Sequence, residues 1–395
     1  MKSKYLIFGG VLLIFGRWIF SLNDNDLVFG EQKFVGCIQE VDIRDQNVKY
    51  TLGIEDFDAR VLFTAEKYPL YEYGDCLEIW ASIEAPGEFL DFDYGAYLSV
   101  RDIYGIVSFP KSVRFVGVQK NWFFEIVYVV RKEVLDRLNR IFPEPASSFM
   151  AGLIVGSRKG ISANLMQNFN AAGLTHILAI SGYNITLIIL IVGKMLGFLA
   201  RGKRIFWSIV FIILFVILVG ASASVVRAAL MGIISVISLW FGRKYFVLRA
   251  LFFSGFLMVL WNPQTLLFDV SFQLSFLATL GIILFAERIE KFLQKVPEFF
   301  MIRENLKMTL CAQILTLPII LMNFGQISLV SIFANLLVLP FIPFAMMFGF
   351  LAFILSFISF DLALAVGFFG YLILEFVTFV VSFFGGLDFA YIEIS

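Results

Sequence analysis

The chain holds one histidine, His176, and three cysteines, Cys37, Cys76 and Cys311. His176 stands five residues ahead of Ser181 in the run Gly173-Leu-Thr-His176-Ile-Leu-Ala-Ile-Ser181-Gly182. A histidine base beside a serine hydroxyl is the pairing used in nucleophilic hydrolysis. On a continuous helix, though, five residues turn the two side chains about 140° apart. No second histidine exists to act as base. His176 therefore reads as a hydrogen-bonded structural group or one that lines a pore. The same counts exclude a hydrolytic zinc centre, which draws on several His or Cys ligands, and no metal or other cofactor is expected. The chain has no Walker A glycine-lysine loop, so it does not drive itself with bound ATP. We expect no enzyme chemistry from it.

The other informative residues are polar groups inside apolar runs, where they are costly and therefore candidates for function. Arg158 and Lys159 precede the histidine run, and Asn184 follows it. Ser181-Gly182 in mid-run invites an unwound turn, which membranes tolerate only against protein or a water-filled cavity. A packed kink fits as well. Arg227 lies in Ala221-Ser-Ala-Ser-Val-Val-Arg227-Ala-Ala, a stretch of small residues that lets helices approach closely. It needs a partner, a water-lined position, or an interface to which it snorkels. Asp269 and Gln273 are four apart, a spacing that shares one helix face. Gln313, Thr316, Asn323, Asn335 and Glu375 are further intramembrane polar groups, each able to hydrogen-bond between helices.

The elements that must hold these groups follow from composition. Of 395 residues, 59% are hydrophobic and 16% charged, against roughly 25% charged in a soluble domain. Mean hydropathy is +0.86. Several apolar runs reach the ~20 residues that cross a bilayer, so the fold class is a polytopic α-helical membrane protein. Charge is unevenly placed. Residues 31–118 carry 16 Asp/Glu and 8 Lys/Arg, a net of −8, whereas 119–395 carry 13 and 20, a net of +7. Short alternating runs at Lys33–Val41, Val48–Ile54, Arg60–Phe63, Cys76–Ile83 and Ile103–Val107 suggest a small all-β barrel or sandwich.

Lys2 and Lys4 precede the apolar run Tyr5–Phe20, with no small-x-small cleavage site after it. Residues 1–22 thus read as an uncleaved anchor with a cytoplasmic N-terminus. The β domain, 31–118, is then extracytoplasmic, where a Cys37–Cys76 disulfide is permitted; two buried thiols are the alternative. Residues 119–145 hold an amphipathic helix with apolar positions 123, 127, 130, 134, 138 and 141, suited to lying in the membrane interface. Residues 146–388 form the multi-span domain. Its spans are expected near 174–200, 206–221, 225–241, 248–262, 265–286, 306–324, 328–358 and 362–385, about nine in all with the anchor. Pro340 and Pro343 are positioned to split one of them, and 146–156 to form a partial insertion. This threading puts the basic loops at 201–204, 243–249 and 288–307 on the cytoplasmic side.

Five blocks in order resemble the core signature of the ComEC competence family. They are Gly152-Leu-Ile-Val-Gly156 with Gly173 to Gly182, Ser224-Val-Val-Arg227-Ala, Asn262-Pro263 followed by Asp269-Val-Ser-Phe-Gln273-Leu-Ser275-Phe, Leu317-Pro318 with Phe324-Gly325, and Asn335-Leu-Leu-Val-Leu-Pro340. The acidic β module is similar in place and size to that family's OB-like domain. The resemblance implies an inner-membrane channel that passes single-stranded DNA into the cytoplasm during natural transformation. It implies pore or packing roles for His176, Ser181, Gly182, Arg227, Gln273 and Asn335. Implied partners are an extracytoplasmic DNA receptor, a cytosolic motor ATPase, a separate nuclease and the lipid bilayer.

There are three departures. Tyr183-Asn184 stands where the family often has a second histidine. Many members continue into a metallo-β-lactamase-like nuclease domain, which this polypeptide is expected to lack, and with it any degradation of the strand. The outer module is acidic, although Tyr71, Tyr73, Trp80, Tyr94 and Tyr97 are suited to stack bases and Arg101, Lys111 and Arg114 to touch phosphate; a structural or gating role is expected there. Two readings compete with the channel: a secondary transporter for a small anion or lipid precursor, and an assembly scaffold that conducts nothing.

Overall fold

A computed structural model describes residues 29–43, 47–54, 59–89, 92–157, 160–178, 182, 184–185, 193, 196–242, 246–298 and 302–393. The expected anchor and about half of the expected 174–200 span lie outside the described residues. The chain divides into two compact units.

The first unit is built on a curled six-stranded sheet. Its strands are β1 (Gly30–Ile43), β2 (Asn47–Ile54), β3 (Arg60–Glu66), β4 (Asp75–Ile83), β7 (Ile103–Ser108) and β8 (Ser112–Val118), in the order β7-β3-β2-β1-β4-β8. A two-stranded ribbon, β5 (Glu88–Phe89) and β6 (Phe92–Asp93), and a short helix, α1 (Tyr94–Ser99), lie between β4 and β7. The β3–β7 pair is parallel and the other pairs of the large sheet are antiparallel. β1 is long enough to serve both sides: Gly30–Cys37 pair with β4 and Gly36–Ile43 with β2, with a bulge between Ile38 and Glu40. A bulge increases local twist, and the sheet curls until Glu84, just past β4, exchanges two backbone hydrogen bonds of 2.9 Å with Ile106 of β7. The result is a half-barrel of the expected OB-like kind. Alternate residues fill it, among them Tyr50, Leu52, Val61, Phe63, Leu77 and Ile79. β8 adds an outer strand that was not among the expected ones. It exposes Phe115, Val116 and Val118, so its alternation is weak.

Helix α2 (Trp122–Ile141) follows. Its expected apolar face holds in the second half, where Val134, Leu138 and Ile141 are buried. The first turns, in contrast, are apolar on several sides, with Trp122, Phe124, Ile126 and Val129 exposed.

The second unit contains α3 (Ala146–Val155), α4 (Ala163–Ala171), α5 (Thr175–Leu178), α6 (Arg201–Val219), α7 (Ala223–Trp240) and α8 (Val247–Trp261, through Gly255). The end of α8 and the single turn α9 (Thr265–Phe268) belong to the first unit, where Asn262 Nδ2 donates to the Val100 carbonyl at 3.1 Å. Helices α10 (Val270–Phe292), α11 (Ile302–Phe324), α12 (Ser331–Val338), α13 (Ile342–Leu355) and α14 (Phe360–Gly385) complete the second unit. It also holds a two-stranded ribbon, β9 (Gln326–Ser328) and β10 (Tyr391–Glu393).

Among the described residues four helices are long and apolar enough to cross a membrane: Gly202–Val219, Val270–Lys295, Ile302–Phe324 and Phe360–Gly385. The pair α12–α13, bent by 43° across Pro340, makes a fifth if it is one span. The expected 328–358 span is thus split where its prolines allow. α8 spans only about 22 Å at 1.5 Å per residue, short of a 30 Å hydrocarbon core. α3 is shorter still, in keeping with a partial insertion.

Close approach of helices depends on glycines, two of which serve as examples. A Cβ on Gly281 of α10 would strike the Cys311 carbonyl of α11. One on Gly367 of α14 would lie 2.6 Å from Ile141 Cγ2. At the charged ends of α10 and α11, Lys307 Nζ bonds Glu290 at 2.8 Å and Glu304 at 2.6 Å, while Arg303 bonds Glu298 at 2.6 Å. Arg137 of α2 fixes the α13–α14 turn. Its Nη1 donates to the Ser356 carbonyl at 2.9 Å, and its guanidinium lies 3.9 Å from the Phe357 ring centroid.

Candidate functional site

The best-defined polar arrangement in the apolar bundle centres on Arg227. Small residues around it bring α7 against α10: Ser224 Oγ lies 3.2 Å from Ser271 Oγ. Arg227 is only 7% exposed. Its Nη1 donates to Thr279 Oγ1, and that hydroxyl donates its own proton to the Ser275 carbonyl at 3.0 Å. The threonine thus offers the arginine a lone pair. Gly182 presses the guanidinium from another side, for a Cβ there would stand 3.1 Å from Nη2 and 3.4 Å from Ala228 Cβ. A guanidinium keeps its proton at any physiological pH, and its planar fork suits phosphate or carboxylate. The arrangement therefore holds a permanent positive charge inside a helical bundle.

The structure brings together Gly182 and Arg227 from the expected set. Arg158, Lys159 and Ser181 lie outside the described residues. His176 is on α5, a partly accessible residue whose ring hydrogen-bonds the Gly173 backbone. Asn184 is buried and donates from Nδ2 to the Leu153 carbonyl at 3.4 Å, so it ties its segment to α3. Gly152, in the same helix, admits the Leu178 carbonyl, which would be 3.3 Å from a Cβ. Gln273 is half-buried on α10. Asn335, on α12, is 4% exposed, and its Oδ1 has no hydrogen-bond partner among the described residues.

One expectation is corrected. Asp269 and Gln273 do not share a helix face, because Asp269 caps α9 in an extended conformation (φ −91°, ψ 94°) and α10 starts at Val270. Upstream, Asn262 Oδ1 accepts from the Gln264 N–H at 3.0 Å, a local turn between the end of α8 and α9. Thr279 was missed. A single threonine in the apolar run 276–286 carries no signal until its neighbour across the helix pair is known.

In the first unit, Cys37 and Cys76 face each other across β1 and β4 and are disulfide-bonded. Tyr71 packs edge-on against Tyr50, and Tyr73 stacks on Tyr128, so both are committed internally. Two exposed pairings remain: Lys111 Nζ lies 5.8 Å from the Trp80 ring, and Arg101 5.5 Å from Tyr97, which stacks on Tyr94. Arg114 is exposed on β8. Among the described residues no group of three His, Cys, Asp or Glu side chains is placed to hold a metal ion.

Several apolar spans, a polar interior with a buried arginine, and a small β half-barrel define a multi-pass helical membrane protein with an appended β domain. The family model described as Competence protein matches residues 153–395, and the chain belongs to that family. It is 27% identical over 298 residues to ComE operon protein 3 of Bacillus subtilis (strain 168), covering 73% of this chain and 37% of that protein. It is 30% identical over 199 residues to an uncharacterized protein of Aquifex aeolicus (strain VF5), covering 46% of this chain and 48% of that one. The chain thus spans less than half the length of either relative. No solved structure matches.

Proposed function

We propose that this protein is the route by which a single DNA strand crosses the cell membrane into the cytoplasm during natural transformation. One observation carries the reading: in a competence-family chain, Arg227 is buried in the helical bundle and held by Thr279 and Gly182. A phosphate-bearing polymer needs positive potential along its path, and a fixed guanidinium supplies it where water cannot. Basic residues near the α5–α6 and α7–α8 connections and on α10 extend that potential. By the positive-inside rule those loops are cytoplasmic, with the N-terminus, and the β domain lies outside.

The chain performs no covalent chemistry in this reading. A DNA receptor outside, a motor ATPase inside and a nuclease on another polypeptide would supply capture, energy and strand degradation. The test is deletion with plasmid complementation in a competent host, scoring surface-bound and imported DNA separately. Loss of import with DNA still accumulating outside is expected. Complementation by Arg227→Lys should exceed that by Arg227→Glu at equal abundance in the membrane. Unchanged import in the deletion would end the proposal, and solute flux in liposomes would then test the transporter reading.

A further inference from the structure

Helix α11 is long and apolar enough to cross a membrane, yet the chain that leaves it does not stay at its end. Gly325 adopts a left-handed φ of 61° and reverses the direction. Six residues later Ser331 Oγ accepts from Gln313 Nε2 at 3.1 Å. Gln313 lies three turns before Phe324, about 16 Å back along the helix axis. Strand β9 therefore runs back beside α11 into the depth that the helix spans. β10 pairs with it, Tyr391 against Ser328 and Glu393 against Gln326, and the Leu329 N–H donates to the Ala390 carbonyl at 2.9 Å.

Among the described residues this ribbon has two strands, and all three residues of β10 are exposed. An extended ribbon has an outer edge of backbone donors and acceptors that hydrocarbon cannot satisfy. Irregular or extended backbone persists at membrane depth only against protein or water. Two further observations agree on water. Asp388, on the turn that leads from α14 into β10, is exposed, and a bare carboxylate is expelled from lipid. Gly173, at φ 69°, packs directly on Ser328 and Ser331, beside the Thr175–Asn170 hydrogen bond of 2.7 Å. The side chains that meet Gly173 there are serine hydroxymethyls, while Leu329, Phe389 and Ile392 nearby are apolar and exposed.

We infer that the β9–β10 ribbon lines a water-filled invagination that enters the bundle alongside α11 and admits water and small hydrophilic ions. The inference goes beyond the DNA-path reading and stands whatever the cargo.

Thiol accessibility tests it in the full chain reconstituted in liposomes, after Cys311→Ala. Ser328→Cys and Ile392→Cys sample the ribbon. Lys203→Cys provides an aqueous reference and Phe368→Cys, exposed on a spanning helix, a lipid reference. Only thiolate attacks the sulfenyl sulfur of a charged methanethiosulfonate, expelling methanesulfinate, and each unit by which burial raises a thiol's pKa removes about nine-tenths of that thiolate. Both ribbon cysteines should react within about tenfold of Lys203→Cys, with Phe368→Cys far behind. Ribbon cysteines as slow as Phe368→Cys, or reacting only with an uncharged maleimide, would overturn the inference. Hydrogen exchange on the unsubstituted chain guards against variants that misfold. Amides of 391–393 should exchange readily, and full protection would count against a water-filled space. Neither readout uses DNA, so failure here and failure of the import reading are separable.

Discussion

Replacing Gly182 with alanine probes the Arg227 arrangement without touching the charge. The new Cβ would stand 3.1 Å from Arg227 Nη2 and 3.4 Å from Ala228 Cβ. The alanine contact is ordinary, and its methyl has nowhere to swing. The guanidinium must therefore give by a few tenths of an ångström. Its other nitrogen is bonded to Thr279, whose hydroxyl is in turn held by the Ser275 carbonyl. A hydrogen bond to a charged group contributes about 1.5–3 kcal/mol, so displacement costs at most that. In the other direction, alanine is better than glycine in a helix by about 1 kcal/mol, and Gly182 is helical.

The two terms largely cancel in stability, and the melting temperature in detergent should shift by only a few degrees. They do not cancel in transport. In the proposed DNA path, a loss of about 1.5–3 kcal/mol at Arg227 is about a tenfold to hundredfold loss in rate. The assay is import of labelled DNA into competent cells at matched protein abundance, beside thermal unfolding of the purified protein. Gly182→Ala should import about tenfold less DNA with little change in melting, and Gly182→Val should lose more of both. If both variants are folded, abundant and import at the parental rate, the guanidinium is not positioned by this contact and the reasoning fails.

Three other outcomes are expected. Cys37 and Cys76 close a loop of 39 residues, for which chain entropy gives about 4 kcal/mol as an upper figure; Cys37→Ser with Cys76→Ser should lower the unfolding temperature of the β unit, and reductant should then have no further effect. Gly281→Val pushes a side chain into the Cys311 carbonyl, so the α10–α11 pair should separate and the yield of folded protein in detergent should fall, by about 1–3 kcal/mol for overpacking. Burial raises the pKa of the Tyr50 phenol, with the hydrogen bond from the Tyr71 amide opposing and Tyr71 and Asp75 adding to the rise. The fold thus favours the neutral phenol: its contribution is complete below the unfolded value of about 10 and is lost as pH climbs through the higher folded value. Unfolding of the β unit followed from pH 8 to pH 11 should show this slope, and Tyr50→Phe should reduce it; equal slopes would contradict the assignment.

The sequence made the β domain legible because its strands alternate, and the limits of β2 and β4 fall within a residue of expectation. β8 was not legible, since an outer strand with two exposed faces has no alternation to show. Hydropathy marks the apolar runs but does not see where an apolar chain reverses. The turn at Gly325 and the break at Asp269 both lie inside runs that read as continuous helix or as a short loop between spans. The first has a local cause, a glycine at positive φ. Arg227 stood out by its charge. The groups that aim it, Thr279 and Gly182, are ordinary residues whose role depends on which helices meet.

Cys37 sits where β1 passes from one neighbour to the other, paired with Gly53 on β2 and with Cys76 on β4. A slip of one residue between β1 and β4 would turn one cysteine to the opposite face of the sheet. The two thiols, 39 residues apart in the chain, meet where β1 and β4 hold that register. Once closed, the bond is a covalent record of that register: it forbids β1 and β4 from sliding past one another, and so holds the strand that every other part of the half-barrel is built against.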